Sequence, residues 1–315
     1  MTGLVVKSTG SFYDITGDDG QRYKARIRGK FRIKGLKTTN PVAVGDRVKF
    51  IPKEDGTVLI TDILPRKNYL LRRATNLSRK YHILAANIDR VFVLYTPAYP
   101  ETLLPFIDRI LVTAEAYDIE PVLVINKIDL FRDDRENLAK IQRFKEIYAP
   151  AGYRIIETSA LDGSGIRELK ELMKNKVSMF TGNSGTGKSS LINAVVPGLN
   201  LKTKPVSQAH RQGQHTTTFA EMHALPFGGH IIDTPGIRAF GTVDMQAREL
   251  GDYFPEIRRY KNACKFNDCL HINEPGCAVL PRLETGEIAP ERYLSYLDIM
   301  DEIQNNEGPY RNKIR

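Results

Sequence analysis

The sequence predicts a multidomain chain: an OB-type β-barrel over residues 1–70, a central α/β domain over 71–248, and a small zinc-binding domain with helices over 249–315. Three observations predict it. Short strand patterns separated by turn residues fill the N-terminal region. Strand-sized apolar runs alternate with helix-sized amphipathic segments from Arg90 onward. Every cysteine falls between positions 264 and 277.

In the first region, Phe12 to Ile15, the turn Gly17-Asp18-Asp19-Gly20 and the stretch from Arg22 read as a hairpin. Pro41 to Phe50 and Thr57 to Leu64 supply further short strands, and about five strands of this kind fit a small OB-type barrel. Residues 69–87, with Arg72, Arg73, Arg79 and Lys80, read as a basic linker. Beyond it, Arg90–Tyr95, Val122–Ile125, Tyr153–Glu157, Val177–Thr181 and His230–Asp233 are strand-like. Residues 101–117, 134–148, 164–174 and a segment from Gly187 are helix-like. This alternation implies a mostly parallel sheet covered by helices. A final amphipathic helix is expected from Pro290 to Ile303.

The 315 residues include 46 Lys and Arg against 37 Asp and Glu, a formal net charge of +9. Hydrophobic residues make up 41% and charged residues 26%, an ordinary globular balance. No apolar run approaches the roughly 18 residues of a membrane span. The start, Met1 to Lys7, has no basic segment followed by a long apolar stretch, so no leader is expected. Three clustered cysteines cannot build a disulfide framework, which points to a reducing compartment, the cytoplasm, and to a metal. A monomer with no membrane partner is expected.

The charge is unevenly placed. Residues 1–80 carry 18 Lys and Arg against 7 Asp and Glu, a net of +11, and residues 81–315 carry 28 against 30, a net of −2. Arg22, Lys24, Arg26, Arg28, Lys30, Arg32 and Lys34 occupy alternate positions, with Tyr23, Ala25, Ile27, Phe31 and Ile33 between them. In an extended strand this gives one cationic and one mostly apolar face. Such a stripe can track a phosphate backbone, so a nucleic acid is the expected partner. A solvated outer strand face is the alternative.

Gly182-Asn183-Ser184-Gly185-Thr186-Gly187-Lys188-Ser189, followed by Ser190, matches G-x(4)-G-K-[ST] between a strand and a helix. Glycines let backbone N–H groups turn toward phosphate oxygens, and the helix N-terminus adds positive potential. Lys188 would reach the β/γ-phosphates, and Ser189 would ligate Mg²⁺. Asn126-Lys127-Ile128-Asp129 closes a buried strand, where an open α/β sheet places its ligand. A carboxylate at Asp129 can accept from guanine N1–H and N2–H₂, a pair that adenine lacks. Ser159 and Ala160 follow another strand and can present a backbone N–H to guanine O6. Together these select GTP and GDP over adenine nucleotides. Asp233-Thr234-Pro235-Gly236 ends a later strand, with Asp233 placed for the Mg²⁺ shell and Gly236 N–H for the γ-phosphate. In Gly213-Gln214-His215-Thr216-Thr217-Thr218, one threonine would ligate Mg²⁺ and sense the γ-phosphate; Thr217 is favoured.

The order of these motifs is a circular permutation: base loop, Ser-Ala loop, phosphate loop, threonine loop, Asp-Thr-Pro-Gly. Ile237 follows Gly236 where many GTPases carry a water-orienting Gln. Slow intrinsic hydrolysis and a stimulating partner are therefore expected. His215 is the nearest candidate to orient the water, with packing inside its loop as the alternative. Cys264-x(4)-Cys269-x-His271-x(5)-Cys277 has the composition of a closed structural zinc site.

These features together resemble the bacterial ribosome-small-subunit-dependent GTPase A family over essentially the full length. The resemblance is carried by the barrel, NKID at 126–129, ETSA at 157–160, GNSGTGKSS at 182–190, QHTTT at 214–218, DTPGI at 233–237 and the Cys-Cys-His-Cys spacing. It implies an OB-fold, a permuted GTPase domain and a zinc domain. It also implies a late maturation factor that binds the small ribosomal subunit and its rRNA near the decoding region. Subunit-stimulated GTP hydrolysis would then release the factor. Gln214 departs from the pattern, in which Arg is expected. Two other readings remain: an RNA-binding module with nucleotide as a switching ligand only, and a metabolic phosphotransferase.

Overall fold

The computed structural model describes residues 1–10, 12–27, 41–73, 81–201, 220–233 and 245–305. The chain divides into two compact units. One holds residues 1–91, 170–180 and 205–239, and the other holds 92–169, 181–204 and 240–315.

The first unit begins with β1 (Thr2–Ser8), β2 (Tyr13–Gly17), β3 (Arg22–Ile27), β4 (Arg47–Pro52) and β5 (Val58–Ile63). They pair in the order β1-β2-β3-β5-β4, and β4 returns to β1 through Gly3↔Val48, which closes a five-stranded barrel. Closure removes free sheet edges. The inward positions are apolar at every second residue: Val5, Tyr13, Ile15, Ala25, Val48, Phe50, Val58 and Ile60 form the barrel core. A bulge in β1 between Val5 and Lys7 shifts its register, and Lys7 then pairs with a strand outside the barrel.

Residues 69–87 correct the linker expectation. β6 (Tyr69–Arg73) and β7 (Tyr81–Ala86) form an antiparallel two-stranded sheet. Leu70, Leu71, Ile83, Ala85 and Ala86 are buried, and this apolar side outweighs the cationic composition of the segment. Just before it, the Arg66 guanidinium donates to both Asp46 carboxylate oxygens at 2.6 Å. That pair fixes the approach of the chain to β6.

The same unit contains β11 (Val177–Thr181, its last residue falling in the second unit), β12 (Glu221–Ala224) and β13 (His230–Asp233). β11 and β13 run parallel, β13 and β12 antiparallel, and β12 pairs with β1. In this register Asp233 ends β13 one residue beyond the Met179↔Ile232 pair.

In the second unit most of β8 (Arg90–Tyr95), then β9 (Glu120–Asn126) and β10 (Arg154–Thr158) stand in the order β10-β9-β8. Val91 to Tyr95 and Val122 to Asn126 are buried without a break, as expected for strands covered on both faces. The same unit contains α1 (Leu104–Ala116), α2 (Arg135–Tyr148), the first half of α3 (Ile166–Met173), whose residues from Lys170 fall in the first unit, and α4 (Lys188–Val195). α2 starts where the Asp134 carboxylate accepts the Asn137 N–H at 3.1 Å. The C-terminal part adds a 3₁₀ helix (Ala247–Tyr253), α5 (Pro255–Lys261), α6 (Pro281–Glu284) and α7 (Pro290–Gln304).

α7 is held to α5 and α1 by a charge. Arg292, 1% exposed, donates to Glu256 at 2.6 Å and to Asp108 at 2.8 Å. Its guanidinium lies 4.6 Å from the Phe254 ring centroid. Tyr148 O–H also donates to Asp108, at 2.7 Å. No helix among the described residues is long and apolar enough to cross a membrane.

Candidate nucleotide, zinc and RNA sites

The phosphate loop leaves β11 at Thr181 and enters α4 at Lys188. Gly182, Gly185 and Gly187 have φ of +151°, +86° and +89°, so the backbone turns in a region that side chains avoid. The Lys188 ammonium donates to the carbonyls of Gly182 at 2.6 Å and Asn183 at 2.8 Å, folding the loop around itself. Burial pulls its pKa down to about 8. The Thr186 hydroxyl donates to Asn183 O at 2.9 Å, which narrows the same turn. Ser184 and Ser190 are exposed, and Ser189 lies in the first turn of α4.

The segment Asn126-Lys127-Ile128-Asp129 is bonded directly to this loop. Asn126 ends β9 with its side chain buried; its amide donates to Thr186 O at 2.8 Å and its carbonyl accepts from the Thr158 hydroxyl at 2.9 Å. Lys127 has φ of +64°, a left-handed conformation that turns the chain out of the strand. Its ammonium donates to Gly185 O at 2.7 Å and Tyr99 O at 2.6 Å, and burial lowers its pKa. Ile128 and Asp129 then form a 3₁₀ turn, Ile128–Leu130, that leaves Asp129 partly exposed. Ser159 is buried, and its hydroxyl accepts the N–H groups of Leu161 at 3.1 Å and Asp162 at 3.3 Å. This shapes the turn that carries Ala160. Thr158 belongs to the expected Thr158-Ser159-Ala160 segment, but the bond of its hydroxyl to Asn126 has no mark in the sequence, and neither does the Tyr99 carbonyl.

Asp233 lies at the end of β13, opposite Glu221. Burial raises its pKa; the nearby His223 opposes this, and the Glu221 charge adds to it. The hydroxyl of Ser189 and the carboxylate of Asp233 are hard oxygen donors, the type that suits Mg²⁺. Gly236, His215 and Thr217 lie outside the described residues.

The side chains of Cys264, Cys269, His271 and Cys277 converge, with all four ligand atoms within 4.8 Å of one another. His271 Nδ1 is 3.6 Å from both the Cys264 and the Cys277 sulfur. A tetrahedral zinc ion with Zn–S near 2.3 Å and Zn–N near 2.0–2.1 Å requires about 3.6 Å between such atoms. The donors therefore fit zinc in chemistry and spacing. The surrounding turn is braced by Glu274, whose carboxylate accepts the N–H groups of Leu270 at 2.7 Å and Ile272 at 2.9 Å. Tyr293 and Tyr296 hydroxyls on α7 hold the carbonyls of His271 and Leu270, each at 2.7 Å.

On the barrel, Arg22, Lys24 and Arg26 are exposed along β3 and Ala25 is fully buried, so alternation holds through β3. Lys24 pairs with Asp14 at 2.7 Å, and Arg26 lies over the Phe12 ring at 4.7 Å. Arg28, Lys30, Arg32 and Lys34 lie outside the described residues.

Comparison with known proteins gives a consistent result. A family model described as RsgA GTPase matches residues 63–243, and one described as RsgA N-terminal domain matches residues 2–60. A Christiangramia forsetii protein named small ribosomal subunit biogenesis GTPase RsgA is 53% identical over 309 residues, which is 97% of this chain and 98% of that protein. A Flavobacterium psychrophilum protein of the same name is 51% identical over 318 residues, 100% of this chain and 96% of that protein. Among solved structures, YjeQ from Thermotoga maritima is 38% identical with a TM-score of 0.78, covering 96% of this chain and 98% of its own. YloQ, described as a circularly permuted GTPase, is 31% identical with a TM-score of 0.75, covering 98% of this chain and 96% of its own. With the permuted loops bonded together and matches along both the barrel and the α/β region, the chain belongs to the RsgA GTPase family.

Proposed function

We propose that this protein is a GTP-hydrolysing ribosome biogenesis factor that binds the small ribosomal subunit through its rRNA, acts late in maturation, and hydrolyses GTP when the subunit stimulates it. The observation that carries the reading is the bonding of Asn126 and Lys127 to the carbonyls of Thr186 and Gly185. It joins a guanine-reading turn to a phosphate-binding loop. The names of the relatives supply the ribosomal context.

In this reading Asp129 accepts from the guanine edge, and Ser159 and Ala160 close on its other side. Backbone N–H groups of Gly182 to Gly187 receive the phosphates, as does the start of α4 through Lys188, Ser189 and Ser190. Ser189, Thr217 and Asp233 would hold Mg²⁺, which when bound neutralises charge on the phosphate oxygens. Gly236 N–H would meet the γ-phosphate, and His215 would orient the attacking water. Ile237 cannot do so, which supports a slow unassisted rate. The cationic residues from Arg22 to Lys34 would meet rRNA. The division 1–70, 71–248 and 249–315 separates RNA binding, nucleotide switching and the zinc module. The factor would work as a cytoplasmic monomer.

The test is GTP turnover by the full chain with and without purified small subunits. Stimulation of at least about tenfold is expected. Equal rates would overturn the reading and leave nucleotide as a switching ligand of an RNA-binding protein.

A further inference from the structure

Lys7, Glu221 and Asp233 stand in one row across three strands. Lys7 of β1 pairs with Glu221 of β12, and Glu221 pairs with Asp233 of β13. Directly paired residues in antiparallel strands project from the same face, with Cβ atoms about 4.5–5.5 Å apart. The Lys7 ammonium reaches the Glu221 carboxylate at 2.9 Å. Both remain open to solvent, with side-chain exposures of 37% and 42%. The β1 bulge between Val5 and Lys7 is what releases Lys7 from the barrel's inward-outward alternation. One strand of the barrel therefore carries both a member of the barrel wall, Val5, and a cation two residues from it that pairs with Glu221, the cross-strand neighbour of Asp233.

We propose that Glu221 is a positioning residue for the divalent cation at Asp233, and that Lys7 tunes it by ion pairing until a phosphate of bound RNA draws the ammonium away. The inference rests on the reading of Asp233 as part of the Mg²⁺ shell. The physical reason is charge. A carboxylate beside Asp233 deepens the negative potential that holds a cation there, and the Lys7 ammonium cancels much of it. Lys7 lies on β1, which pairs with β2, and β2 pairs with the cationic strand β3. A polyanion on the barrel competes with Glu221 for Lys7 in a solvent-exposed pair of modest strength. Its arrival leaves Glu221 unpaired and the cation at Asp233 held more tightly.

The test is Mn²⁺ affinity of the full-length GDP complex, read by electron paramagnetic resonance, which does not depend on turnover. Glu221→Gln is expected to weaken Mn²⁺ about three- to tenfold, and Lys7→Met to tighten it by a similar factor. Glu221→Asp, which keeps the charge, is expected to stay near wild type. The double variant Lys7→Met with Glu221→Gln should behave like Glu221→Gln alone, because Lys7 acts only through Glu221. A single-stranded RNA oligonucleotide should tighten Mn²⁺ in wild type and leave Lys7→Met unmoved. Unchanged affinity in both single variants, or additive effects in the double, would overturn the proposal. Asp233→Asn separates the two levels. If it leaves Mn²⁺ affinity intact, the reading of Asp233 fails. If it weakens Mn²⁺ while Glu221→Gln and Lys7→Met do nothing, only the present inference fails.

Discussion

The side-chain amide of Asn126 donates to the Thr186 carbonyl at 2.8 Å across 60 residues of chain. Because its carbonyl also accepts from Thr158, one side chain ties the base loop, the Ser-Ala strand and the phosphate loop together. A Cβ on Gly187 would stand 2.6 Å from the Asn126 amide nitrogen, at a φ of +89°. Gly187→Ala must therefore displace Asn126 and strain the backbone, a cost of about 1–3 kcal/mol. A loss of at least about tenfold in GDP affinity is expected, measured by titration calorimetry.

Asp129 sits on the 3₁₀ turn, held in place by the left-handed Lys127. In the proposed site, Asp129→Asn would remove the charged acceptor for two guanine donors. Hydrogen bonds to charged groups contribute about 1.5–3 kcal/mol, so GDP affinity should fall roughly 10- to 100-fold. Affinity for ADP should not fall with it. Competition between labelled GDP and each nucleotide reads the difference.

Burial lowers Lys188 to about 8 in the free protein, and phosphate groups favour its charged form. Below pH 8 the ammonium is charged both free and bound, so affinity for GDP without divalent cations should be flat. Above pH 8 the free lysine is neutral and must take up a proton on binding. Affinity then falls by up to about tenfold per pH unit. A GDP titration series from pH 6.5 to roughly 9.5 checks this; Lys188→Ala should bind weakly and lose the slope.

Arg292 is buried between Glu256 and Asp108. Arg292→Met leaves two carboxylates without their cation, and breaking such a pair costs about 3–5 kcal/mol. Arg143 also pairs with α7, at Glu291, but with half of its side chain exposed. Arg143→Ala should cost no more than about 1 kcal/mol. Urea unfolding of the two variants should show this contrast.

Much of the site was legible because its chemistry is local. Gly182 to Ser189 needs glycines at fixed places to adopt positive φ, and the three cysteines with His271 need only short spacing to converge. Strands β8, β11 and β13 fell at their expected limits because each is a short apolar run. The β6–β7 hairpin was not legible: cations at 72, 73, 79 and 80 disguise the apolar side made by Leu70, Leu71, Ile83 and Ala85. β12 is only four residues long, so its Glu-Met-His-Ala alternation is too short to mark a strand. Arg292 reads as a surface residue from sequence, since only the fold brings Asp108 and Glu256 to it from distant segments.

In the proposed function, a guanine nucleotide site built from permuted loops controls a cationic RNA-binding protein. The most direct test of this control is the affinity of the full chain for purified small ribosomal subunits, measured over a salt series with GDP and with a non-hydrolysable GTP analogue. The account predicts affinity that falls linearly on logarithmic axes as salt rises, with binding at least about tenfold tighter in the GTP-analogue state at every salt concentration. Equal affinity in the two nucleotide states would contradict it.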